Sequence, residues 1–520
     1  MQTIIAKNGS ETPEPLQAQV TGVLPGWLKG TLLRNGPGLF SVGDTSYNHW
    51  FDGMSLIHSF TFSKGEVLYR SKFLKSETYK RNMAANRIVV SEFGTMVYPD
   101  PCKNIFSRAF THLCNTIPDF TDNNLINLVR YGDRYYASSE VNYINQIDPL
   151  TLDTLSRVNY RNHIALNLAT AHPHYDEEGN TYNMGTAVLG WSKPHYVIFK
   201  VPANTSGAEP ALQRLQKVCS LAPCGSSLSP GYFHSFGMTQ RYLVFLEQPF
   251  RLDLLRLASA YLRGENWGEC LRFHKDALTV FRLVDRHTGK EVAQRFYGDP
   301  MVVFHHINAY EEGNHLVLDL ISYRDAHLYH MFYLENLRQD TPSFLLANQS
   351  FSPPTCKRFL LPLTIDQEAS TGTNLLPDSR AEARLQEDGS VFCTPEILFE
   401  GLELPGINYK YNGKKYRYFY GSRMEWSPHP NKLAKVDIES GTHLEWQEDD
   451  CFPSEPVFVA SPDAVAEDDG VILSSVVSPN PNVSPFLLVL DARTMKELAR
   501  ASIDASVHVD LHGVFIPAAQ

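Results

Sequence analysis

The sequence predicts an all-β protein with the architecture of a β-propeller. Short strand-like apolar runs recur along almost all of the 520 residues, and turn signals such as Asp-Gly and Gly-Asn separate them. The 25 Tyr and 29 Phe residues also favour β structure, because aromatic side chains fit the pleated surface of a strand. Similar pairs of strands return at long intervals, which is typical of an irregular propeller. We therefore interpret residues 1–520 as a single domain with long insertions between strands.

The clearest structural unit is the segment 128–158, LVRYGDRYYASSEVNYINQIDPLTLDTLSRV. It contains four strand-like runs, separated by a Gly-Asp turn, a short turn and an Asp-Pro turn. This pattern predicts one four-stranded antiparallel blade.

Two segments have the apolar periodicity of helices. In 102–114 the apolar positions are 105, 106, 109, 110 and 113, and in 252–264 they are 254, 255, 258, 261 and 262. Two interpretations remain open. Either both helices pack on the propeller surface, or their apolar faces meet a membrane around a substrate entrance.

Four histidines occupy comparable places in the weak repeat. His172 in TAHPH, His234 in FHSFG and His305 in FHHIN each open a strand, and His512 in LHGVF opens the closing blade. The innermost strands of a propeller line its axis, so four imidazoles on such strands would converge there. Imidazole suits Fe, Zn, Cu and Ni. The spacing thus predicts an axial metal site, with ordinary core histidines as the alternative.

Three glutamates lie in apolar or proline-bounded contexts, where a carboxylate is costly unless it is paired. They are Glu140 in SSEVNY, Glu403 in LELPGINY and Glu455 in PSEPVF. One interpretation is a local salt bridge or a solvated edge for each. The other is that they accept N–H hydrogen bonds from metal-ligating imidazoles, which fixes the tautomer of each ring.

The composition excludes several classes of function. The net charge of −11 disfavours nucleic acid as a partner. The eight Cys residues form no CxxC pair, which argues against a structural zinc site and against a disulfide-stapled domain. The first residues form no apolar leader, and no window of 18 apolar residues occurs. We therefore expect a soluble protein of the cytosol.

Several long runs resemble the carotenoid cleavage oxygenase family, and the resemblance extends from about residue 15 to the C-terminus. They are YNHWFDGMSLIHSF (47–60), RIVVSEFGTMVYPDPCKNIFS (87–107), FHHINAYEE (304–312), FPSEPVFV (452–459), EDDGVILSSVVSP (467–479) and LHGVF (511–515). This resemblance implies a seven-bladed propeller in which helical and loop insertions cap one face.

The resemblance also implies a non-haem Fe(II) on the propeller axis. Its ligands would be His172, His234, His305 and His512. In the FHH pair the family uses the first histidine, so His306 is not expected to bind metal. Glu140, Glu403 and Glu455 match the family's carboxylates around the ligating histidines.

The implied activity is cleavage of the central 15,15′ double bond of β-carotene with O2, giving two molecules of retinal. Eccentric cleavage at the 9′,10′ bond and retinyl ester isomerohydrolysis remain alternatives, and so does a non-catalytic carotenoid-binding protein. All four histidines and all three glutamates are present, which favours an enzyme.

A carotenoid is long and apolar, so it needs a hydrophobic tunnel that selects the bond lying over the metal. Aromatic ring faces can line such a tunnel and stabilise cationic character in the polyene. Tyr232 and Tyr323 are the candidates for the catalytic role, and Phe51 and Phe93 are the candidates for substrate binding. The alternative for each of the four is ordinary propeller core.

Such a substrate has almost no aqueous concentration and must come from a bilayer, a lipid droplet or a carrier. The apolar faces at 105–113 and 254–262 are flanked by basic residues, which suits peripheral docking on lipid. The net negative charge opposes strong binding to anionic lipid. We therefore expect a cytosolic protein with weak, reversible membrane contact.

Overall fold

The computed structural model describes residues 5–97, 121–188, 193–203, 209–337, 341–366, 368–424 and 430–518. Within them, seven β-sheets form the blades of a propeller. The predicted all-β, seven-bladed fold is confirmed. We number the blades 1 to 7 along the chain, so that blade 7 contains strands from both ends of the sequence.

Blades 1 to 4 follow one another from residue 127 to residue 400. Blade 3 departs from strict chain order, because its two outer strands come after the first three strands of blade 4 in the sequence. Blade 1 comprises Asn127–Tyr131, Arg134–Ser138, Tyr143–Ile147 and Thr154–Asn159. Blade 2 comprises Leu168–Ala169, His174–Tyr175, Thr181–Ala187, His195–Val201 and Gln216–Leu221. Blade 3 comprises Gly237–Met238, Tyr242–Glu247, Thr279–Asp285, Phe296–Gly298, Val391–Thr394 and Glu382–Leu385. Blade 4 comprises Val302–Glu312, His315–Tyr323, Thr355–Pro362 and Glu396–Glu400.

Blades 5 to 7 complete the ring. Blade 5 comprises Leu402–Gly406, Tyr418–Arg423, Lys432–Asp437 and Thr442–Trp446. Blade 6 comprises Phe452–Pro453, Val457–Ala460, Gly470–Val477, Phe486–Asp491, Glu497–Ser502 and Gln19–Gly22. Blade 7 comprises His512–Pro517, Gly30–Leu39, Met54–Ser63, Glu66–Phe73 and Thr12–Gln17. Two short ribbons lie outside the blades, Ser41–Val42 with Thr45–Ser46 and Phe250–Leu252 with Leu271–Phe273.

Blade 1 is the four-stranded unit predicted from 128–158, and its strands pair in the order of the sequence. Its first hairpin pairs Tyr131 with Arg134 and leaves Gly132 and Asp133 as a two-residue loop. Gly132 has a φ of 66°. A glycine at the first loop position provides the positive φ that such tight hairpins require.

Both ends of the chain close the ring. The strand His512–Pro517 pairs antiparallel with Gly30–Leu39, with His512 opposite Asn35. The strand Gln19–Gly22 pairs with Glu497–Ser502 in blade 6. The closing blade therefore returns His512 to the start of the chain, where it lies opposite Asn35. Leu32 and Phe60 of blade 7 pack against Leu487 of blade 6, so apolar contacts join the blades on either side of the closure.

Four α-helices are inserted between strands of the described segments. They are Glu77–Ala85, Leu254–Arg263, His327–Met331 and Pro342–Gln349. Leu254–Arg263 confirms the helix predicted at 252–264. Asp253 caps its N-terminus, and Gly264, in the left-handed conformation, ends it. The helix predicted at 102–114 lies outside the described residues.

The apolar stripe predicted for Leu254–Arg263 is split between two faces. Leu257, Ala260 and Tyr261 are buried, because their spacing of three and four residues places them on the inner face. Leu255 and Leu262, which we expected beside Tyr261, are 66% and 67% exposed. The helix therefore packs on the propeller and also presents apolar side chains to solvent.

Candidate metal centre

The four predicted histidines meet on the propeller axis. One ring nitrogen from each of His172, His234, His305 and His512 lies within 4.8 Å of the other three. The Nε2 atoms of His172 and His234 are 3.0 Å apart. Ring centroids of neighbouring histidines in the group are separated by 4.6 to 5.1 Å.

The local backbone differs from the expectation that each histidine opens a strand. Only His512 does so. His305 lies inside Val302–Glu312, where the register shifts between Val303 and His306. Such a bulge re-aims the side chains of a strand. His172 and His234 lie in irregular segments just before His174–Tyr175 and Gly237–Met238.

Successive residues on a strand point to opposite sides, and this separates His305 from His306. The His306 Nδ1 lies 2.8 Å from the Ser235 Oγ, away from the cluster. Burial lowers the pKa of His306 to about 3, so its imidazole is neutral. The structure thus brings together the first histidine of the FHH pair with the other three.

The three predicted glutamates each contact one histidine through Nδ1. The Nδ1–oxygen distances are 2.7 Å for His234 and Glu140, 2.6 Å for His305 and Glu403, and 2.7 Å for His512 and Glu455. Because each Nδ1–H donates to a carboxylate, each Nε2 carries a free lone pair.

The donor set fits a metal ion. The buried Nε2 of His305 has no hydrogen-bond partner, although buried polar atoms normally have one. Four neutral imidazole nitrogens around one point suit a divalent transition metal. The carboxylates one layer out supply the negative charge that the imidazoles lack.

Burial and neighbouring groups shift the pKa values of the clustered histidines in different directions. Burial lowers the pKa of His172 well below its usual value, and the neighbouring His512, His234 and His305 lower it further. Burial also disfavours charge on His305, but the Glu403 carboxylate more than compensates and raises its pKa. The imidazoles cannot all be protonated at this separation, since like charges oppose one another.

Each carboxylate has its own further support. The Tyr232 hydroxyl oxygen lies 2.9 and 2.8 Å from the two oxygens of Glu140. The Tyr323 hydroxyl donates to Glu403 over 3.1 Å. The Leu404 N–H donates to the same carboxylate over 2.6 Å, with Leu404 at a φ of 52° where its strand bulges. A positive φ at leucine is a strained conformation, and it turns this N–H onto Glu403.

The residues around Glu455 were not predicted from the sequence. The Arg34 guanidinium donates to Glu455 and to Asp510, and Asp510 also binds His58 and Ser475. The usable signal was Arg34 itself, a charged residue directly after the apolar pair Leu32 and Leu33. The same argument had selected the three glutamates.

An apolar cavity leads to the cluster. All four aromatic residues proposed from the sequence, Phe51, Phe93, Tyr232 and Tyr323, line it together with three of the histidines. Tyr329 lies among them, and its ring centroid is 5.4 Å from that of Phe93. Side chains of the helical insertions, Leu257 and Leu328 among them, complete the wall.

The described helices include none with the length and apolar character needed to cross a bilayer.

Comparisons with known proteins cover nearly the whole chain. The family model described as retinal pigment epithelial membrane protein matches residues 5–517. The chain is 56% identical to β,β-carotene 15,15′-dioxygenase of Gallus gallus, over 99% of this chain and 98% of the relative. It is 54% identical to the Homo sapiens protein of the same name, over 99% and 95%. Mitochondrial carotenoid-cleaving dioxygenase of Macaca fascicularis is 43% identical, over 98% and 93%.

Among solved structures, the fold is similar to that of cobalt-substituted apocarotenoid oxygenase from Synechocystis. The TM-score is 0.75, with 22% sequence identity over 99% of this chain and 98% of that chain. This likeness concerns the fold alone.

Proposed function

Because the chain belongs to the retinal pigment epithelial membrane protein family, we propose that it is an Fe(II)-dependent dioxygenase that cleaves β-carotene at its central 15,15′ double bond. The double bond breaks and each of its carbons takes one oxygen atom from O2, so that two molecules of retinal form. The relatives named as 15,15′-dioxygenases, at 53–56% identity, support this activity.

The observation that carries the proposal is the four-histidine cluster at the end of an apolar cavity. His172, His234, His305 and His512 would hold Fe(II) through their Nε2 atoms. Bound Fe(II) would supply the one-electron chemistry that O2 needs before it can react with a polyene.

The protein's own contribution is to orient the polyene and exclude water. Phe51 and Phe93 belong to an aromatic cluster in the cavity wall, where the Phe51 and Phe332 centroids are 4.9 Å apart. The hydroxyls of Tyr232 and Tyr323 are engaged by Glu140 and Glu403. Both rings line the cavity, and we propose that they stabilise positive charge developing on the polyene.

The products test the proposal. Purified protein loaded with Fe(II) is incubated with β-carotene under isotope-labelled O2, and the aldehydes are identified by mass spectrometry. Retinal as the only product, with label in the aldehyde, supports central dioxygenation. β-Ionone with apo-10′-carotenal would instead assign eccentric cleavage. Release of cis-retinol from all-trans-retinyl ester without O2 would assign isomerohydrolysis.

We further propose that the protein is cytosolic and takes its substrate from lipid surfaces by weak peripheral contact. The exposed Leu255 and Leu262 support this, since Leu257 on the other face of their helix lines the cavity. Leu345 and Leu346, on the helix Pro342–Gln349, are also exposed. The described cysteines are free thiols, as in a reducing compartment. The second apolar face, at 105–113, lies outside the described residues.

A further inference from the structure

A buried arginine lies behind one of the three carboxylate–histidine pairs. Arg34 is located in the middle of the strand Gly30–Leu39, between the paired strands that carry His58 and Gly513. Its side chain has no solvent exposure. A buried guanidinium must bind its counterions closely, because an unpaired charge in the interior is very costly.

The Arg34 guanidinium connects two carboxylates. One NH2 group donates to Glu455 Oε2 over 2.7 Å. The Nε–H donates to Asp510 Oδ1 over 3.0 Å, and the second NH2 group donates to the same oxygen and to the Leu511 carbonyl. Asp510 is held separately by His58, whose Nε2 is 2.8 Å from Oδ2.

These contacts assign a different task to each oxygen of Glu455. Oε2 is occupied by Arg34 and by the Gly513 N–H at 3.1 Å, and Oε1 is left to accept from His512 Nδ1 at 2.7 Å. Without Arg34, one backbone N–H would remain to fix the carboxylate.

We propose that Arg34 is a positioning residue of the metal centre, which orients Glu455 so that His512 presents its Nε2 to the metal. This inference rests on the metal site of the proposed function. Arg34 does not touch substrate or metal, and it acts through Glu455 and His512.

The arrangement makes the three carboxylate–histidine pairs unequal. Glu140 is held by the neutral Tyr232, and Glu403 by the neutral Tyr323 and Leu404. Within the described residues, Glu455 is the one of the three that binds a guanidinium. Asp510 and the Leu511 carbonyl hold the guanidinium in place, so its single N–H bond reaches Glu455 from a fixed direction, which a hydroxyl on a rotatable bond does not ensure.

The test measures binding of Co(II) to the metal-free protein by chelator competition and by the absorption spectrum of the bound ion. The variants are Arg34→Met, Glu455→Gln and the double variant. Arg34→Lys keeps the charge without the fork and provides a milder change if Arg34→Met does not fold. Arg358→Met is the matched control, because Arg358 forms a bidentate pair with the buried Asp319 within blade 4.

We expect Arg34→Met to weaken Co(II) binding about 10- to 100-fold, as other losses of support around metal ligands do, and to alter the spectrum. Arg34→Lys should change both in the same direction. The double variant should bind Co(II) no more weakly than the weaker single variant, because both changes act on one contact. Arg358→Met should lower thermal stability and leave Co(II) binding unchanged.

Unchanged Co(II) binding in both Arg34 variants would overturn the proposal, and so would losses that multiply in the double variant. Either result leaves the proposed function intact if the wild-type protein binds Co(II) and cleaves β-carotene. A wild-type protein that binds neither Co(II) nor Fe(II) would overturn both proposals.

Discussion

Replacing Glu403 with Gln tests whether charge in the second layer matters to the metal. Glu403 Oε2 accepts from His305 and from Leu404, and Oε1 accepts from Tyr323. Gln can keep this geometry with its carbonyl oxygen towards His305 and its amide towards the Tyr323 hydroxyl, which can rotate to accept. The substitution therefore removes the charge and leaves the shape.

The size of the effect follows from the hydrogen bond between His305 and Glu403. A hydrogen bond to a charged group contributes about 1.5–3 kcal/mol and a neutral one about 0.5–1.5 kcal/mol. Loss of the charge thus removes about 1–1.5 kcal/mol of support for the imidazole, or roughly a factor of 10 in metal affinity. This lies at the lower end of the approximately 10- to 100-fold range found for partners of metal ligands.

The assay is anaerobic Fe(II) binding by chelator competition, followed by turnover of β-carotene at saturating Fe(II). The matched control is Glu247→Gln, because Glu247 is equally buried but pairs with Arg282. We expect weaker Fe(II) binding in Glu403→Gln alone. The reasoning fails if Glu403→Gln binds Fe(II) as tightly as the wild type, or if Glu247→Gln weakens binding equally.

Three further predictions concern other parts of the molecule. His305→Ala should lose bound iron by elemental analysis and His306→Ala should retain it, and the reverse pattern would contradict the geometry of the cluster. Leu255→Asp with Leu262→Asp should slow turnover of carotene in liposomes more than in detergent, whereas equal losses would refute lipid docking. Burial raises the pKa of Asp52 to about 7, so the neutral form is favoured in the folded state. Stability from this group is present below about pH 4 and is lost as the pH rises through 7. In Asp52→Asn, the free energy of unfolding, measured by urea denaturation, should therefore fall less steeply between about pH 4 and about pH 7 than in the wild type. An equal fall in both proteins would refute the raised pKa of Asp52.

The sequence was sufficient to predict the parts of the fold and site that leave a local pattern. The blade at 128–158 was readable because each of its turns has its own signal, and the histidines were readable because each recurs in a similar motif. The helix at 252–264 was predicted, but which of its apolar residues are buried depends on packing partners that no local pattern names. Glu140 was also predicted as a site residue, but it lies between the strands Arg134–Ser138 and Tyr143–Ile147. Its contact with His234 depends on a packing partner that no local pattern names.

Long-range contacts explain most of what could not be predicted. In blade 3, Phe296–Gly298 pairs in parallel with Val391–Thr394 across an insertion that includes all of the first three strands of blade 4. Arg34 and Asp510 contact each other across 476 residues. Neither pairing leaves a periodicity or a turn signal in the sequence, so neither could be predicted before the fold was known.

The closure of the ring by the strands that carry Arg34 and His512 has a consequence for biosynthesis. At about 5–20 residues per second, the 476 residues between Arg34 and Asp510 take roughly 20–100 s to translate. Throughout that time the strand Gly30–Leu39, which is almost wholly buried in the finished protein, lacks the neighbour that covers its inner edge. An unpaired apolar edge of this kind invites aggregation, so the nascent chain should depend on chaperones. The complete four-histidine site would form only after the ring has closed, because His512 arrives with the closing strand.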